Sequence, residues 1–276
     1  MLKLLCNDYH KIDNDTMMVS LTENKNETYL FDLNEIKETN IIVELSSFVQ
    51  VTLLNVDSLK GKHIVFNLSK GACLNFNLAY FEVADQSRVE VNMKENSSFN
   101  GAFADFSKEK NDFCFVCNLL ERNAQAHWHL ATLAKKEDRK IFDISFFHYA
   151  KNTYAKMENY GVCEGSSSLS FLGTSKIFNN AKQSETHQSA KIMVFDQKCN
   201  AKASPILCID ENDVKASHAA VVGQINEEHI FYLTSRGIDE KTAKNLITLG
   251  YLMPILSYFE EKEINKIIKK KIEERV

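Results

Sequence analysis

Between about residues 40 and 222 the chain breaks roughly every ten residues into short apolar or alternating segments, and polar clusters separate them. Segments such as 41–45, 49–54, 63–68, 73–81, 88–93, 113–119, 141–147, 169–172, 192–195 and 214–222 carry β-branched or aromatic residues, the pattern of strands. Helical periodicity is weak across this span. Breaks at that spacing suit a sandwich, a barrel or a solenoid. No fixed-period motif is visible. Small polar residues do recur at the breaks (Ser46-Ser47, Ser69-Lys70-Gly71, Asn96-Ser97-Ser98, Ser166-Ser167-Ser168, Asn179-Asn180), as solenoid corners or hairpin turns both require. With two prolines and nine glycines in 276 residues, turns must rely on Asn, Asp, Ser and Lys. Asn tolerates left-handed backbone well among non-glycine residues.

The character changes near residue 225. Asn226 is placed to cap a helix beginning Glu227-Glu228, and Gly237 to end it in a left-handed conformation. Asp239 caps a second helix ending near Gly250. Pro254 suits the first turn of a third, whose end carries Ile264, Ile267, Ile268 and Ile272 on one stripe. The reading is a short N-terminal β segment (1–35), a β core (36–224) and a C-terminal helical subdomain (225–276). The helices are too small to fold alone, so they are expected to pack on the end of the core or to serve as a docking surface.

Composition excludes some functions. A net charge of −4 offers no basic excess to neutralise phosphates, so no nucleic-acid partner is expected. No apolar run reaches the roughly 18 residues of a membrane span, so no membrane partner is expected either. The opening residues lack the apolar stretch of a secretion signal, and a cytoplasmic protein is expected. Seven scattered cysteines do not suggest a disulfide framework.

The chemistry-bearing motifs are few. Cys114-Phe-Val-Cys117 has no second pair, and residues three apart on a strand face opposite ways, so two core cysteines are expected. His127 and His129 share a strand face and could reach one metal, but no carboxylate follows at the spacing of a cupin-type site. No phosphate-binding glycine loop and no nucleophile elbow are present.

Residues 204–255 carry a long, specific signature: Pro205, Asp213-Val214, Ser217-His218, Gly223, Glu227-Glu228, Phe231-Tyr232-Leu233 and Ser235-Arg236-Gly237-Ile238. About 50 residues here resemble the C-terminal signature of the SufB/SufD family, scaffolds of iron–sulfur cluster assembly. Upstream, His148, Tyr160-Gly161-Val162, Phe171, Gly173 and the run from Ala181 to Gln188-Ser189 resemble it more weakly. Before residue 120 nothing specific is recognised, and the longer N-terminal helical region usual in the family is expected to be absent or replaced.

The resemblance implies a right-handed parallel β-helix with a small helical domain. It implies a SufD-like scaffold, not an enzyme, pairing with a SufB-like protein and docking the SufC ATPase, which would supply the ATP chemistry. No cofactor would be tightly bound; an iron–sulfur cluster would pass transiently through the subunit contact. His218 is then the candidate iron ligand, since neutral imidazole suits iron, and Cys199 a weaker thiol candidate. SufB-type proteins have a sulfur-accepting cysteine after the Gln, where this chain has Ser189 and Ala190. They also have Glu after the motif histidine, where this chain has Ala219. Both differences favour SufD. Ala219-Ala220-Val221 also departs from the SufD-type Gly-Ala-Thr. The dock would lie between Asn226 and about Tyr258, with Phe231, Tyr232 and Arg236 lining it. The alternatives are a self-pairing family homodimer using His218 and Cys199, a cupin-like metal-dependent enzyme around His127 and His129, or a relic that keeps only the fold.

Overall fold

The computed structural model describes residues 2–4, 10–21, 26–30, 36–46, 50–55, 60–82 and 85–276, with side chains for 11–21, 36–46, 60–82 and 85–276. The chain forms a parallel β-solenoid in which successive strands alternate between two sheets. In chain order the strands are β1 (Leu2–Leu4), β2 (His10–Lys11), β3 (Thr16–Leu21), β4 (Asn26–Leu30), β5 (Asn40–Leu45), β6 (Gln50–Asn55), β7 (His63–Leu68), β8 (Cys73–Tyr80) and β9 (Gln86–Met93). They continue with β10 (Ser98–Asp105), β11 (Lys110–Leu119), β12 (Gln125–Ala134), β13 (Arg139–His148), β14 (Tyr154–Cys163), β15 (Ser168–Ile177), β16 (Ser184–Val194), β17 (Asn200–Ile209) and β18 (Val214–Gln224). One sheet runs β1-β4-β6-β8-β10-β12-β14-β16-β18, and the other runs β17-β15-β13-β11-β9-β7-β5-β3-β2. Among the described residues every pairing is parallel except that of β2 with β3.

The registers explain why no repeat was legible. Thr16 pairs with Asn40, 24 residues on, and Asn40 with His63, 23 on. The column continues through Arg88, Cys114, Asp143, Leu172 and Ser204, and its last step is 32 residues. A repeat that varies between 23 and 32 residues along the solenoid has no fixed sequence period. The turns use the residues that composition demanded. Asn96, Asn123, Asn152 and Asn180 all have positive φ, near 60–70°. Ser47 and Val49 of the expected breaks and strands lie outside the described residues.

Inward and outward residues alternate along each strand. On β11, Phe113, Phe115, Cys117 and Leu119 are buried while the residues between them are half-exposed. That corrects the expectation for the Cys114/Cys117 pair: only Cys117 is core. Cys114 faces outward, with Arg88 Nη1 3.4 Å from its sulfur. The middle coils hold an aromatic interior, with Trp128 stacked on Phe115 at 4.3 Å between ring centroids and flanked by Phe113 and Phe103. Gly101 pairs with Trp128 in register. A Cβ there would lie 2.7 Å from the indole and 2.8 Å from Phe99, so only glycine lets the ring pass.

The helices are α1 (Glu227–Thr234), α2 (Glu240–Leu252) and α3 (Lys262–Arg275). Asn226 and Asp239 cap the first two as their side chains accept from Glu228 N and Thr242 N, and Gly237 has φ +85°. Pro254 does not open a third α-helix. It sits in a separate 3-10 turn, Met253–Tyr258, before α3. The helices do not cap the solenoid end either. The 3-10 turn and α3 lie on the outer face of the sheet built from β8, β10, β12 and β14. There Ile255, Phe259, Ile264, Ile268 and Ile272 bury against Phe81, Ala102, Phe106, Leu133 and Val162. The strands show why: the C-terminal halves of β8, β10 and β12 are buried on both faces, and such continuous apolar runs need a covering layer. Polar ties fasten it, including Arg275 to Asp138 and Asn77 Nδ2 to Tyr258 O at 2.9 Å. Of the expected isoleucine stripe, Ile267 alone is exposed.

Candidate functional site

The site is the last coil, made of β17 and β18. Both are terminal strands of their sheets, so one edge of each has no neighbour among the described residues. Register assigns their inward faces. Ala201, Ala203, Pro205, Leu207 and Ile209 continue the buried positions of β15, and Val214, Ala216, His218, Ala220 and Val222 continue those of β16. In earlier coils such residues are sealed by the next coil. Here they are half-buried or exposed. The open mouth is therefore small and apolar with one polar side chain at its centre, His218.

Beneath His218 the interior turns polar. His218 pairs with Gln188, and Gln188 with Met157. Gln188 Nε2 donates to Ser175 Oγ at 2.6 Å and to Ile206 O at 3.2 Å. Thr186 Oγ1 donates to the same Ser175 oxygen at 3.0 Å. Gln188 Oε1 and Asn159 Oδ1 are buried without a partner, an unusual state for buried acceptors. This polar floor was not legible as a site, because Gln188 and Ser175 lie far apart in sequence.

Ser217, the other half of the Ser-His pair, faces the opposite way. His187 Nδ1 lies 2.6 Å from Ser217 Oγ, and His187 Nε2 lies 2.7 Å from Glu185 Oε1. When this imidazole is neutral, its proton faces the carboxylate and the Ser217 hydroxyl donates to Nδ1. The bond from His187, with Lys215 behind it, holds the Glu185 carboxyl below its ordinary range. The relay anchors β18 to β16 on the outer face and so fixes the register that turns His218 inward.

Cys199 is not part of this constellation within one chain. It sits at the corner before β17, its sulfur 3.6 Å from Gly165 O. His218 is mid-strand, six residues before Gln224 at the corner, about 20 Å of strand at roughly 3.3 Å per residue. Phe231, Tyr232 and Arg236 are together. α1 has no buried residue, Phe231 is 73% and Tyr232 54% exposed, and the Arg236 guanidinium stands 4.4 Å over the Tyr232 ring. His129 meets Glu158 at 3.3 Å and stacks on Tyr258. Burial pushes His129 down to about 4, against the pull of Glu158. No group of three or more His, Cys, Asp or Glu among the described residues is arranged to hold a metal, so His127 and His129 gain no completed ligand set. His148 is buried in a corner against Thr153 Oγ1 at 2.8 Å, and burial lowers it to about 4.

The comparisons bear on this geometry. Residues 22–251 match the family described as SUF system FeS cluster assembly, SufBD core domain. The chain belongs to the SufBD family. It is 31% identical over 144 residues to the iron–sulfur cluster assembly protein SufD of Bacillus subtilis, covering 52% of this chain and 33% of that protein. It is 24% identical over 160 residues to a SufBD-family protein of Synechocystis, covering 57% and 33%. It is 24% identical over 161 residues to SufB of Bacillus subtilis, covering 57% and 35%. These alignments span about a third of each relative. The SufBD family match contains the whole of β17, β18 and α1, so the open coil and the exposed helix are parts of the family core. No helix among the described residues is long and apolar enough to cross a membrane.

Proposed function

We propose that this chain is a SufD-like scaffold subunit of the iron–sulfur assembly machinery, pairing with a SufB-like protein through its open last coil and docking the SufC ATPase on α1. The observation that carries the reading is the unsealed coil. Two edge strands and an inward apolar face, left open above the sealed coils of the described middle of the solenoid, call for a cover, because open sheet edges and apolar patches are sites of association. His218 at the centre of that face would meet whatever the partner presents. A neutral imidazole there offers a nitrogen ligand to iron of the cluster, the cargo of the complex. Ser189 and Ala190 carry no thiol, so sulfur delivery at that position would fall to the partner. The setting would be the cytoplasm, and the chain would be a non-catalytic subunit.

The solvent-facing Phe231 and Tyr232, with Arg236 stacked on the second ring, support the docking half. Exposed aromatics beside an arginine are the residue types of interface anchors. The test is co-expression with the SufB-like and SufC-like proteins of the same organism and recovery on this chain. A three-protein complex is expected. Phe231→Ala with Tyr232→Ala should release the ATPase alone, and Ala220→Asp with Val222→Asp should release the SufB-like protein. His218→Ala should leave the complex intact and lower cluster formation. Recovery of this chain only as its own dimer overturns the heterodimer and favours the self-pairing reading.

A further inference from the structure

Six cysteines among the described residues are free, and two of them meet across a corner of the solenoid. Cys163 ends β14, and Cys199 precedes β17. The register Ser168↔Asn200 stacks Cys199 directly over Ser167 of the coil below. Cys163 Sγ lies 3.1 Å from Ser167 Oγ and 3.5 Å from Ser167 O. Cys199 Sγ lies 3.6 Å from Gly165 O, two residues past Cys163. Both sulfurs thus close on the same turn, 164–167. Their surroundings differ. Cys163 is sealed in the core, whereas Cys199 is half-buried and packs against that core from the last coil. No described strand lies beyond β17.

We propose that Cys163 and Cys199 form a redox-active dithiol that closes to a disulfide when a hydroperoxide reaches the last coil. The order of events follows from exposure. Cys199 can be reached from the open end and is oxidised first: its sulfur takes one peroxide oxygen to give a sulfenic acid, and the other leaves as water. The Cys163 sulfur then attacks the sulfenic sulfur. The S–S bond forms as the S–O bond breaks, and the oxygen departs as water with the Cys163 proton. In sum two thiols lose two electrons and two protons, and one hydroperoxide becomes two waters (or water and an alcohol). Burial, which pushes the Cys163 thiol up to about 12, keeps this partner from reacting first and makes it the resolving thiol. The bond would staple the turn before β17 to the coil beneath. Cys163 itself stacks beneath Val194, so the bridge would run diagonally across the turn on which both sulfurs already close.

The full-length chain, reduced and then treated with hydrogen peroxide, is alkylated under denaturing conditions and mapped without reduction. A linked peptide joining Cys163 to Cys199 is expected, with both lost to alkylation in equal amounts. In Cys163→Ser or Cys163→Ala, dimedone should label Cys199 several-fold more than in the unaltered chain, since nothing removes the sulfenic acid. In Cys199→Ser, Cys163 should stay reduced. The unaltered chain alone decides the matter should a variant fail to fold. Equal dimedone labelling of Cys199 with and without Cys163, or a peroxide-treated chain without the linked peptide, overturns the proposal. So does oxidation of Cys163 in Cys199→Ser at the rate of the unaltered chain.

Discussion

Trp128 and His218 occupy the same column of the solenoid, three steps apart through Met157 and Gln188. At the first position an indole is sealed between aromatic rings, and Gly101 opposite gives up its side chain to admit it. At the second an imidazole stands exposed at the mouth, above a glutamine whose oxygen has no partner. The backbone is the same at both levels, and so is the inward direction. The difference is whether another coil follows. A solenoid buries each coil with its neighbours, so the middle coils are committed to stability and the last coil is free for association.

That contrast can be broken at several levels. The largest effect is expected at Asp105, which with Lys140 is wholly buried. Its carboxylate accepts from Lys140 Nζ, Thr132 Oγ1, Ser107 Oγ and Asn111 Nδ2 at 2.6, 2.7, 2.6 and 3.0 Å. Asp105→Ala strands a buried ammonium, and a loss of about 3–5 kcal/mol is expected in denaturant unfolding. Trp128→Ala should cost about 3–5 kcal/mol by the cavity it opens.

Next comes pH. His129 and His148 are both held down to about 4 by burial, against an unfolded value near 6.5. Between those values the unfolded chain binds the proton and the folded chain does not. Stability is therefore full above about pH 6.5 and falls as pH drops toward 4, by roughly 3 kcal/mol for the more deeply buried His148. Melting temperature against pH should show this slope, and His148→Gln should flatten it. The smallest effects on the isolated chain are expected at the mouth. Val222→Asp and His218→Ala should each change stability by no more than about 0.5 kcal/mol, while Val222→Asp removes partner binding measured by sedimentation. A large loss of stability at Val222 would mean that the coil is sealed after all.

Much of this was legible in the chain. Short strands with polar breaks announced a β architecture, Asn-rich turns replaced glycine as expected, and both helix caps fell at Asn226 and Asp239. What escaped includes β10, β14 and the first half of β16, which have too few apolar residues in a row to read as strands. In a solenoid, half of each strand can be polar because only one face is core. The Cys114/Cys117 pair shows the same point, since a strand that looks apolar throughout still turns one sulfur outward.

The Ser217-His218 signature and the helix caps could be read from the residues because both are local. A capping side chain reaches a backbone amide two or three positions away, and a family motif is contiguous. The remainder depends on which coil lies above which. The register sets Gln188 under His218, brings His187 to Ser217 and closes Cys199 on the turn that follows Cys163, joining residues about 30 positions apart. The coil length changes from step to step, so no spacing rule in the sequence encodes those partners. The exposure of the last coil was equally hidden, because the apolar residues of β18 look like core until the ladder stops above them.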